Sequence, residues 1–217
     1  MNWRNYENRP KILNNNESKK AGLLIVVSAP SGAGKTSICR KLIGMFPEIH
    51  FSVSYTTRSP RRGEVPGKDY NFVTPDEFRD RIAQGEFVEW VENYGDLYGT
   101  SRKTMDDFLK QGFPMLLDVE PRGAKEVRRQ YPDGVFVFIL PPSLSALRRR
   151  LAERGETEEM VRRRLSVSLD EIREAMWYDY IIINNQLEDA VSRLRAVYIA
   201  ELSKRERFEE VIKSFFE

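Results

Sequence analysis

A run of aliphatic residues that leads into a glycine-rich loop and then a helix is the feature that most restricts how this chain can fold. Residues 23–28 read Leu-Leu-Ile-Val-Val-Ser, which is typical of a buried strand. Residues 29–36 are mostly small and end in Gly-Lys-Thr, and residues 37–43 continue with helical spacing. This order of strand, tight loop and helix is the setting in which Gly-Lys-Thr predicts a phosphate-binding loop.

The residue types in this loop suit the phosphates of a nucleotide. Gly32 and Gly34 let the backbone approach oxygen atoms closely, and amides at the start of the following helix point at the anion. Lys35 adds a positive charge, and the Thr36 hydroxyl is placed for Mg²⁺. The alternative interpretation is a glycine-rich turn that binds nothing. The predicted phosphate-binding residues are Ala29, Pro30, Ser31, Gly32, Ala33, Gly34, Lys35 and Thr36, with Ala29 standing where the usual pattern has its first glycine.

Composition restricts the class of protein further. The chain of 217 residues suffices for one domain, or for a domain with a small insert. Its net charge of +2 gives no reason to expect a nucleic-acid or membrane partner. Cys39 is the single cysteine, so an internal disulfide is excluded and a reducing compartment is favoured. No apolar run approaches the ~20 residues of a membrane span, and we find no signal-peptide core. We therefore expect a cytoplasmic protein, with residues 1–20 as a flexible polar tail.

Alternating strand and helix patterns predict an α/β fold with a central parallel sheet flanked by helices. Further apolar runs occupy residues 113–117, 135–140 and 180–183, and helical patterns separate them. Asp118 follows the first of these runs directly. If that strand neighbours the strand before the loop, Asp118 lies beside the phosphates, where a Mg²⁺-associated carboxylate belongs. Taken alone, an aspartate after a strand is only a turn residue.

The segment from residue 56 to residue 70 contains three arginines, two prolines and two glycines, with almost no apolar residue. Such a segment is either a solvated loop or a loop that meets an anion, because the guanidinium group matches phosphate geometry. Residues 51–55 alternate as a strand would, Thr74 begins a helix, and residues 86–98 predict a hairpin around Gly95. Together these elements predict a small mixed insert.

A long helix is predicted from Glu158 to Trp177. Its apolar face should carry Leu165, Leu169, Ile172 and Met176, which follow one another at spacings of four, three and four. The arginines at positions 162–164 occupy its polar side, and a charge run of this kind is usually a solvated face.

Three segments together resemble the guanylate kinase family, which transfers a phosphoryl group from ATP to GMP. They are residues 28–36, residues 54–64 continued by Gly-Lys-Asp-Tyr at 67–70, and Tyr-Gly-Thr-Ser at 98–101. The second segment is specific, since related kinases for other monophosphates do not carry it. The resemblance implies a P-loop kinase with a GMP-binding insert at about 51–100, a helical lid at about 150–165, and a core at 21–50 and 101–205. Residues 206–217 would end the C-terminal helix.

The resemblance also implies the role of individual residues. Those that match GMP-binding positions are Ser54, Arg58, Arg61, Glu64, Tyr70, Glu89, Tyr98, Thr100 and Glu120. Those that match catalytic positions are Lys35 and the lid arginines Arg150, Arg154 and Arg164. Thr36 and Asp118 would hold Mg²⁺, directly or through water. Glu120 stands where many members have Asp and Arg122 where many have Gln, and residues 184–186 are less acidic than usual, so we assign no adenine contact there.

The implied chemistry fits the residues that are present. The second pKa of a phosphate monoester lies near ~6, so the attacking oxygen of GMP needs no general base at neutral pH. A chain whose single histidine, His50, lies outside every motif is compatible with this. Two alternatives are a non-catalytic interaction module of guanylate-kinase type and another small P-loop kinase. The intact Lys35 and Thr36 argue against the first, and the segment from Arg58 to Tyr70 argues against the second. The expected partners are ATP, Mg²⁺ and GMP, with no obligatory protein partner.

Overall fold

The computed structural model describes residues 22–61, 63–93, 95–153 and 157–217. The elements, in chain order, are β1 (Leu24–Ser28), α1 (Lys35–Met45), β2 (His50–Phe51), β3 (Tyr55–Thr56), β4 (Asn71–Phe72), α2 (Pro75–Ala83), β5 (Phe87–Asn93), β6 (Asp96–Ser101), α3 (Arg102–Lys110), β7 (Met115–Asp118), α4 (Pro121–Gln130), β8 (Val135–Leu140), α5 (Leu144–Ala152), α6 (Glu158–Arg173), β9 (Tyr180–Ile183), α7 (Leu187–Leu202) and α8 (Glu209–Lys213). The 3₁₀ segments Glu174–Trp177 and Arg205–Phe208 follow α6 and precede α8.

Five strands form a central sheet in the order β2-β7-β1-β8-β9, and every neighbouring pair is parallel. Alternate side chains of β1 enter two different cores, one on each face of the sheet. Ile25 and Val27 pack with α1 and α7, whereas Leu24 and Val26 pack with α3 and α4. A strand covered on both faces must be apolar at every position, which explains the continuous aliphatic run. The predicted parallel sheet with flanking helices is confirmed.

A second sheet of four strands, in the order β4-β3-β6-β5, forms the insert. β5 and β6 pair as an antiparallel hairpin in which Asn93 faces Asp96, as the sequence predicted around Gly95. The prediction of one strand over residues 51–55 is wrong. His50 and Phe51 extend the central sheet beside β7, whereas Tyr55 and Thr56 pair with β6. The chain therefore crosses between the two sheets at residues 52–54, close to the proposed start of the insert.

The start of α2 follows the predicted capping pattern. The Thr74 hydroxyl accepts a hydrogen bond from the Glu77 backbone N–H at 3.2 Å, and the Glu77 carboxylate accepts one from the Thr74 backbone N–H at 2.8 Å. Pro75 occupies the first turn, where its missing N–H costs nothing. These local contacts set where the helix begins without help from the rest of the fold.

The predicted apolar face of α6 is wrong in part. Leu169 is 42% exposed and Met176 is 92% exposed, whereas Val161 and Ser168 are buried. The buried face of α6 therefore includes Ser168, one position before Leu169, which the apolar spacing had predicted to be buried. The physical reason is that α6 packs against the apolar side of α5, with Val161 in that small core, instead of lying on the sheet. The helix is α-helical to Arg173 and continues as a 3₁₀ segment to Trp177.

The C-terminal part of the chain is helical from residue 187, as predicted, but in separate pieces. α7 packs on α1, and the 3₁₀ segment and α8 follow it. Within the described ranges, none of the helices combines the length and apolarity that crossing a membrane requires.

Candidate active site

The predicted phosphate-binding loop lies between β1 and α1, at the carboxyl end of the central strand. Gly32 and Gly34 have φ angles of +90° and +91°, a region that side chains disfavour. A Cβ on Gly34 would also overlap the side-chain amide nitrogen of Asn184. The Ala33 backbone N–H donates to the Pro30 carbonyl at 3.1 Å and closes the turn. The loop is thus held in a conformation that only glycine permits at two positions.

Lys35 and Asp118 meet at the base of this loop. β1 pairs with β7 so that Val27 lies opposite Asp118. The two strands are therefore neighbours, as the prediction that Asp118 lies beside the loop requires. Lys35 Nζ lies 2.6 Å from Asp118 Oδ1 and donates to the Val119 carbonyl at 2.8 Å. Burial alone would lower the pKa of Lys35, but the neighbouring carboxylate of Asp118 outweighs it and raises that pKa. Thr36 Oγ1 donates to Asp118 Oδ2 at 3.3 Å.

Arg58, Arg61 and Glu64 belong to one loop, here called the arginine loop, that is held together by its own hydrogen bonds. The Arg58 Nη2 atom lies 2.9 Å from Glu64 Oε1, and the other Glu64 oxygen accepts the Arg61 backbone N–H at 2.7 Å. The Arg58 guanidinium carbon lies 5.3 Å from the centre of the Tyr70 ring, within cation–π range. Hydrogen bonds to Glu64 and Tyr98 raise the pKa of Arg58 despite partial burial. The Arg61 side chain is exposed, so it can turn towards a ligand.

Two acidic side chains lie deeper, between the insert and α4. The Thr100 hydroxyl donates to Glu89 Oε1 at 2.6 Å, and the Asn93 amide donates to Glu120 Oε1 at 2.6 Å. Glu89 is only 5% exposed, and burial raises its pKa to about 7, with the charge of Glu120 adding to the rise. A Cβ on position 123 would collide with the Glu89 carboxylate, so Gly123 leaves the room that this side chain occupies.

Ser54 lies half-buried in the crossing between the two sheets. Its carbonyl accepts the Asn71 backbone N–H at 2.9 Å, which ties the crossing to β4. This places Ser54 in the insert beside the strand that follows the arginine loop.

The arginines predicted for the lid approach the phosphate loop from α5 and α6. Arg150 donates to the Asn184 carbonyl at 2.9 Å and to the Ala33 carbonyl at 3.5 Å. Arg164 Nη1 lies 3.4 Å from Ser31 Oγ. Arg154 lies outside the described residues. Of the three predicted arginines, Arg164 therefore contacts the loop, and Arg150 contacts both the loop and Asn184.

The insert faces the phosphate loop. Arg40 of α1 lies 3.7 Å from Asp69, the residue before Tyr70. The pKa of Tyr70 is raised by burial and then by the charge of Asp118. Lys35 in turn opposes the rise in the pKa of Glu89. The contact between Arg40 and Asp69 thus joins the insert to α1, the helix that begins at the phosphate loop.

Sequence reasoning missed Asn184 and Asn93. The Asn184 amide donates to the Ala33 carbonyl at 2.6 Å and supports the loop from behind. Its position directly after the last apolar strand, at the carboxyl edge of the sheet, was a usable signal. Asn93 has no motif around it, and only the fold brings it to Glu120. Within the described part of the chain, no cluster of three or more His, Cys, Asp or Glu side chains could hold a metal ion.

Known proteins resemble this chain over most of its length. Residues 21–201 match the family model of guanylate kinase. A guanylate kinase of Syntrophus aciditrophicus is 55% identical over 192 residues, which cover 88% of this chain and 93% of that protein. One of Geobacter metallireducens is 46% identical over 200 residues, covering 92% and 98%. The crystal structure of guanylate kinase from Anaplasma phagocytophilum superposes with a TM-score of 0.75 at 34% identity, covering 91% of this chain and 97% of that one.

Proposed function

Because this chain belongs to the guanylate kinase family and is an ATP:GMP phosphotransferase, we propose how its residues divide the work between the two nucleotides. The residues from Ala29 to Thr36 bind the ATP phosphates, with loop amides and Lys35 as donors. The observation that carries this assignment is the Lys35–Asp118 pair at the base of the loop, with the arginine loop on the facing side. A polyanion in the cleft meets cations from both directions.

The GMP phosphate is assigned to Arg58, Arg61, Tyr70 and Tyr98. Glu64 holds Arg58 and the Arg61 backbone in place, which reduces the ordering cost when the phosphate binds. Bidentate guanidinium–phosphate contacts are stronger and more directional than a point charge. Glu64 is therefore a positioning residue for the phosphate, although it carries the opposite charge to the arginines.

The guanine base is assigned to Glu89 and Glu120, with Ser54 and Thr100 beside them. Guanine offers N1–H and an exocyclic amino group as donors, and an ionised carboxylate accepts both. Adenine presents an acceptor at N1, so a carboxylate would be left unpaired against it. A mismatch of this kind can lower kcat/KM for the adenine nucleotide by a factor of ~10⁴ relative to the guanine nucleotide. The Thr100 and Asn93 hydrogen bonds orient the two carboxylates before the base arrives.

The donor set at Thr36 and Asp118 fits Mg²⁺. Both offer oxygen atoms, which this hard cation prefers, and Mg²⁺ is usually held by one or two protein oxygens together with substrate phosphates. The hydroxyl of Thr36 lies 3.3 Å from the Asp118 carboxylate, so the two can reach one ion. Bound together with ATP, the ion would neutralise part of the charge of the phosphates.

Phosphoryl transfer then requires positioning and charge stabilisation more than proton transfer. The GMP oxygen is already mostly ionised at neutral pH, and the His50 ring is occupied in stacking on Phe108 at 4.0 Å. The main barrier is the repulsion between two polyanions. Arg150, Arg154 and Arg164 would close over the ATP phosphates, exclude water and stabilise the charge of the transition state.

We assign the enzyme to the cytoplasm and infer no obligatory partner beyond ATP and GMP. Cys39 is buried, and burial raises the pKa of its thiol, which suits a reduced structural cysteine. The net charge of +2 adds no general attraction to nucleic acid.

A coupled assay of ADP release tests the substrate assignment. The purified chain is offered ATP and Mg²⁺ with GMP, AMP, UMP or no acceptor. We expect turnover with GMP to exceed that with AMP and UMP by at least about 10³-fold. Equal rates with AMP and GMP would overturn the assignment of Glu89 and Glu120 to the base.

A further inference from the structure

Helix α4 lies antiparallel along strand β5 of the insert, and Asn93 and Glu120 join the two elements at one end. The contacts follow one another in reverse order along the helix and the strand, namely Gln130 with Val88, Gly123 with Glu89, and Glu120 with Asn93. The ten residues of α4 rise about 15 Å, and the strand from Val88 to Asn93 spans about 16 Å, so the two match in length. The two acidic side chains assigned to the base therefore lie along one helix–strand unit that is tied at both ends.

The Glu120 carboxylate reaches across to β5 and does not turn back to its own helix. Glu120 occupies the N-cap of α4, where a short polar side chain usually accepts a hydrogen bond from the first turn, yet its side chain makes no such bond. Instead, Glu120 Oε1 accepts the side-chain amide of Asn93 at 2.6 Å. Asn93 is itself fixed, because it is the last residue of β5 and pairs with Asp96 across the hairpin. A residue of the insert therefore sets the direction of a side chain that begins on α4.

The two carboxylates, Glu89 and Glu120, are oriented by the same kind of contact. The Thr100 hydroxyl donates to Glu89 Oε1 and the Asn93 amide donates to Glu120 Oε1, both at 2.6 Å. Both donors are neutral, so they fix the direction of a carboxylate without cancelling its charge. Because a carboxylate has about four lone-pair sites on its two oxygens, each glutamate keeps acceptor capacity for the N–H groups of a base.

We propose that Asn93 is a positioning residue that sets the preference for guanine over adenine, because its amide holds Glu120 in the orientation in which that carboxylate accepts an N–H group of guanine. The proposal rests on the assignment of Glu120 to the base made above. Without Asn93 the long glutamate side chain gains rotamer freedom, and ordering it again when the base binds weakens the contact. Asn93 acts on the base alone, so the binding of the GMP phosphate and of ATP does not depend on it.

Two substitutions at position 93 separate the donor from the shape of the side chain. Asn93→Leu keeps the approximate volume and removes the amide, whereas Asn93→Asp keeps the shape and replaces the donor by a carboxylate, which only accepts and repels Glu120. Glu92→Gln is the matched control, since Glu92 is the exposed neighbour on the same strand. Calorimetry measures the dissociation constants of GMP and, in competition with it, of AMP, which carries the same ribose and phosphate. Thermal melting shows that each variant is folded.

We expect the ratio of the AMP to the GMP dissociation constant to fall by about tenfold in Asn93→Leu, the effect of losing one hydrogen bond to a charged group. Asn93→Asp should lower this ratio by at least as much. The dissociation constant of AMP and KM for ATP should change less than about twofold, and Glu92→Gln should resemble wild type. In a Glu120→Ala background, Asn93→Leu should lower the ratio less than about twofold further, because the carboxylate that Asn93 positions is absent.

An unchanged ratio in Asn93→Leu or Asn93→Asp would overturn the proposal. If GMP and AMP were weakened equally, Asn93 would be purely structural. A further tenfold fall in the Glu120→Ala background would also overturn it, because Asn93 would then act independently of Glu120. If Asn93→Leu does not fold, Asn93→Asp decides the question. A Glu120→Ala variant with the wild-type ratio would instead contradict the assignment of Glu120 to the base in the proposed function, and the role of Asn93 with it.

Discussion

The Lys35 ammonium group lies 2.6 Å from the Asp118 carboxylate, and both side chains are largely buried. An ATP phosphate that enters the loop must share this ammonium group with Asp118. Lys35→Ala removes the cation that faces the developing charge, so turnover should fall by about 10²- to 10³-fold. The affinity for GMP should stay nearly unchanged, because the residues assigned to GMP lie on the facing side. An ADP-release assay and GMP calorimetry measure the two effects.

Lys41→Ala is the control for that experiment. Lys41 lies on the same helix, is half-exposed and pairs with Glu188, so its loss should leave turnover within about twofold of wild type. Retained turnover in Lys35→Ala, or an equal loss in both variants, would contradict the role assigned to Lys35.

Gly34 precedes the first residue of α1 and Gly44 lies in the last turn of that helix, and the two should respond oppositely to alanine. Gly34→Ala places a Cβ against Asn184 and forces a non-glycine residue to φ +91°, which costs about 1–3 kcal/mol in the backbone alone. We expect a lower free energy of unfolding and weaker ATP binding. Gly44 has open space around it, so Gly44→Ala should stabilise the protein by about 0.5–1 kcal/mol. Denaturant unfolding and ATP calorimetry compare the pair, and a stable Gly34→Ala with normal ATP affinity would contradict this account.

Where a local contact or a strand adjacency decides the structure, the sequence predicts it well. The Thr74–Glu77 capping pattern is complete within four residues, so it could be read directly. The aliphatic runs predict strands buried on both faces, and a parallel sheet brings the ends of β1 and β7 together. Lys35 approaches Asp118 because the first residue of α1 and the last residue of β7 lie at this same edge of the sheet.

Tertiary packing decides the features that the sequence did not predict. Periodicity favoured Leu169 over Ser168 on α6, because it assumes that a helix buries its most apolar line. In the structure α6 packs against α5 through Val161, and Ser168 is buried while Leu169 stays exposed. The predicted strand over residues 51–55 is not continuous, because Phe51 pairs in the central sheet and Tyr55 pairs in the second sheet. An alternating pattern does not show which sheet a residue joins.

The lid arginines should act on the chemical step more than on GMP binding. Arg164 already lies at the loop residue Ser31, so Arg164→Ala should lower kcat by about 10²-fold or more, while KM for GMP changes less than about twofold. The same direction is expected for Arg154→Ala. Arg162→Ala, whose exposed side chain faces Glu158, is the control. A change confined to KM would mean that these arginines act in ground-state binding.

The buried Glu89 should make the substrate-free protein less stable as pH rises. Its pKa is raised to about 7 in the folded state from 4.5, so the folded state binds its proton more tightly between these values. The contribution of this proton to the free energy of unfolding is fully present below the unfolded pKa of Glu89. It falls by about 3 kcal/mol as the pH rises to about 7. Thermal melting from pH 5 to 7.5 should show a steeper decline in wild type than in Glu89→Gln. Parallel curves would contradict burial of an ionisable Glu89 as the cause.

Binding of GMP should release a proton from Glu89 near neutral pH. Because its pKa is raised to about 7, the carboxyl carries a proton in part of the free enzyme near neutral pH, yet it must be ionised to accept both guanine donors. Binding therefore lowers its pKa and releases a fraction of a proton for each GMP bound. Calorimetry in two buffers of different ionisation enthalpy measures that number. Glu89→Gln is the control, because it removes the titrating group at position 89. Any proton that the GMP phosphate releases or takes up on binding is still measured in this variant. Equal release in both proteins would place the guanine contact elsewhere.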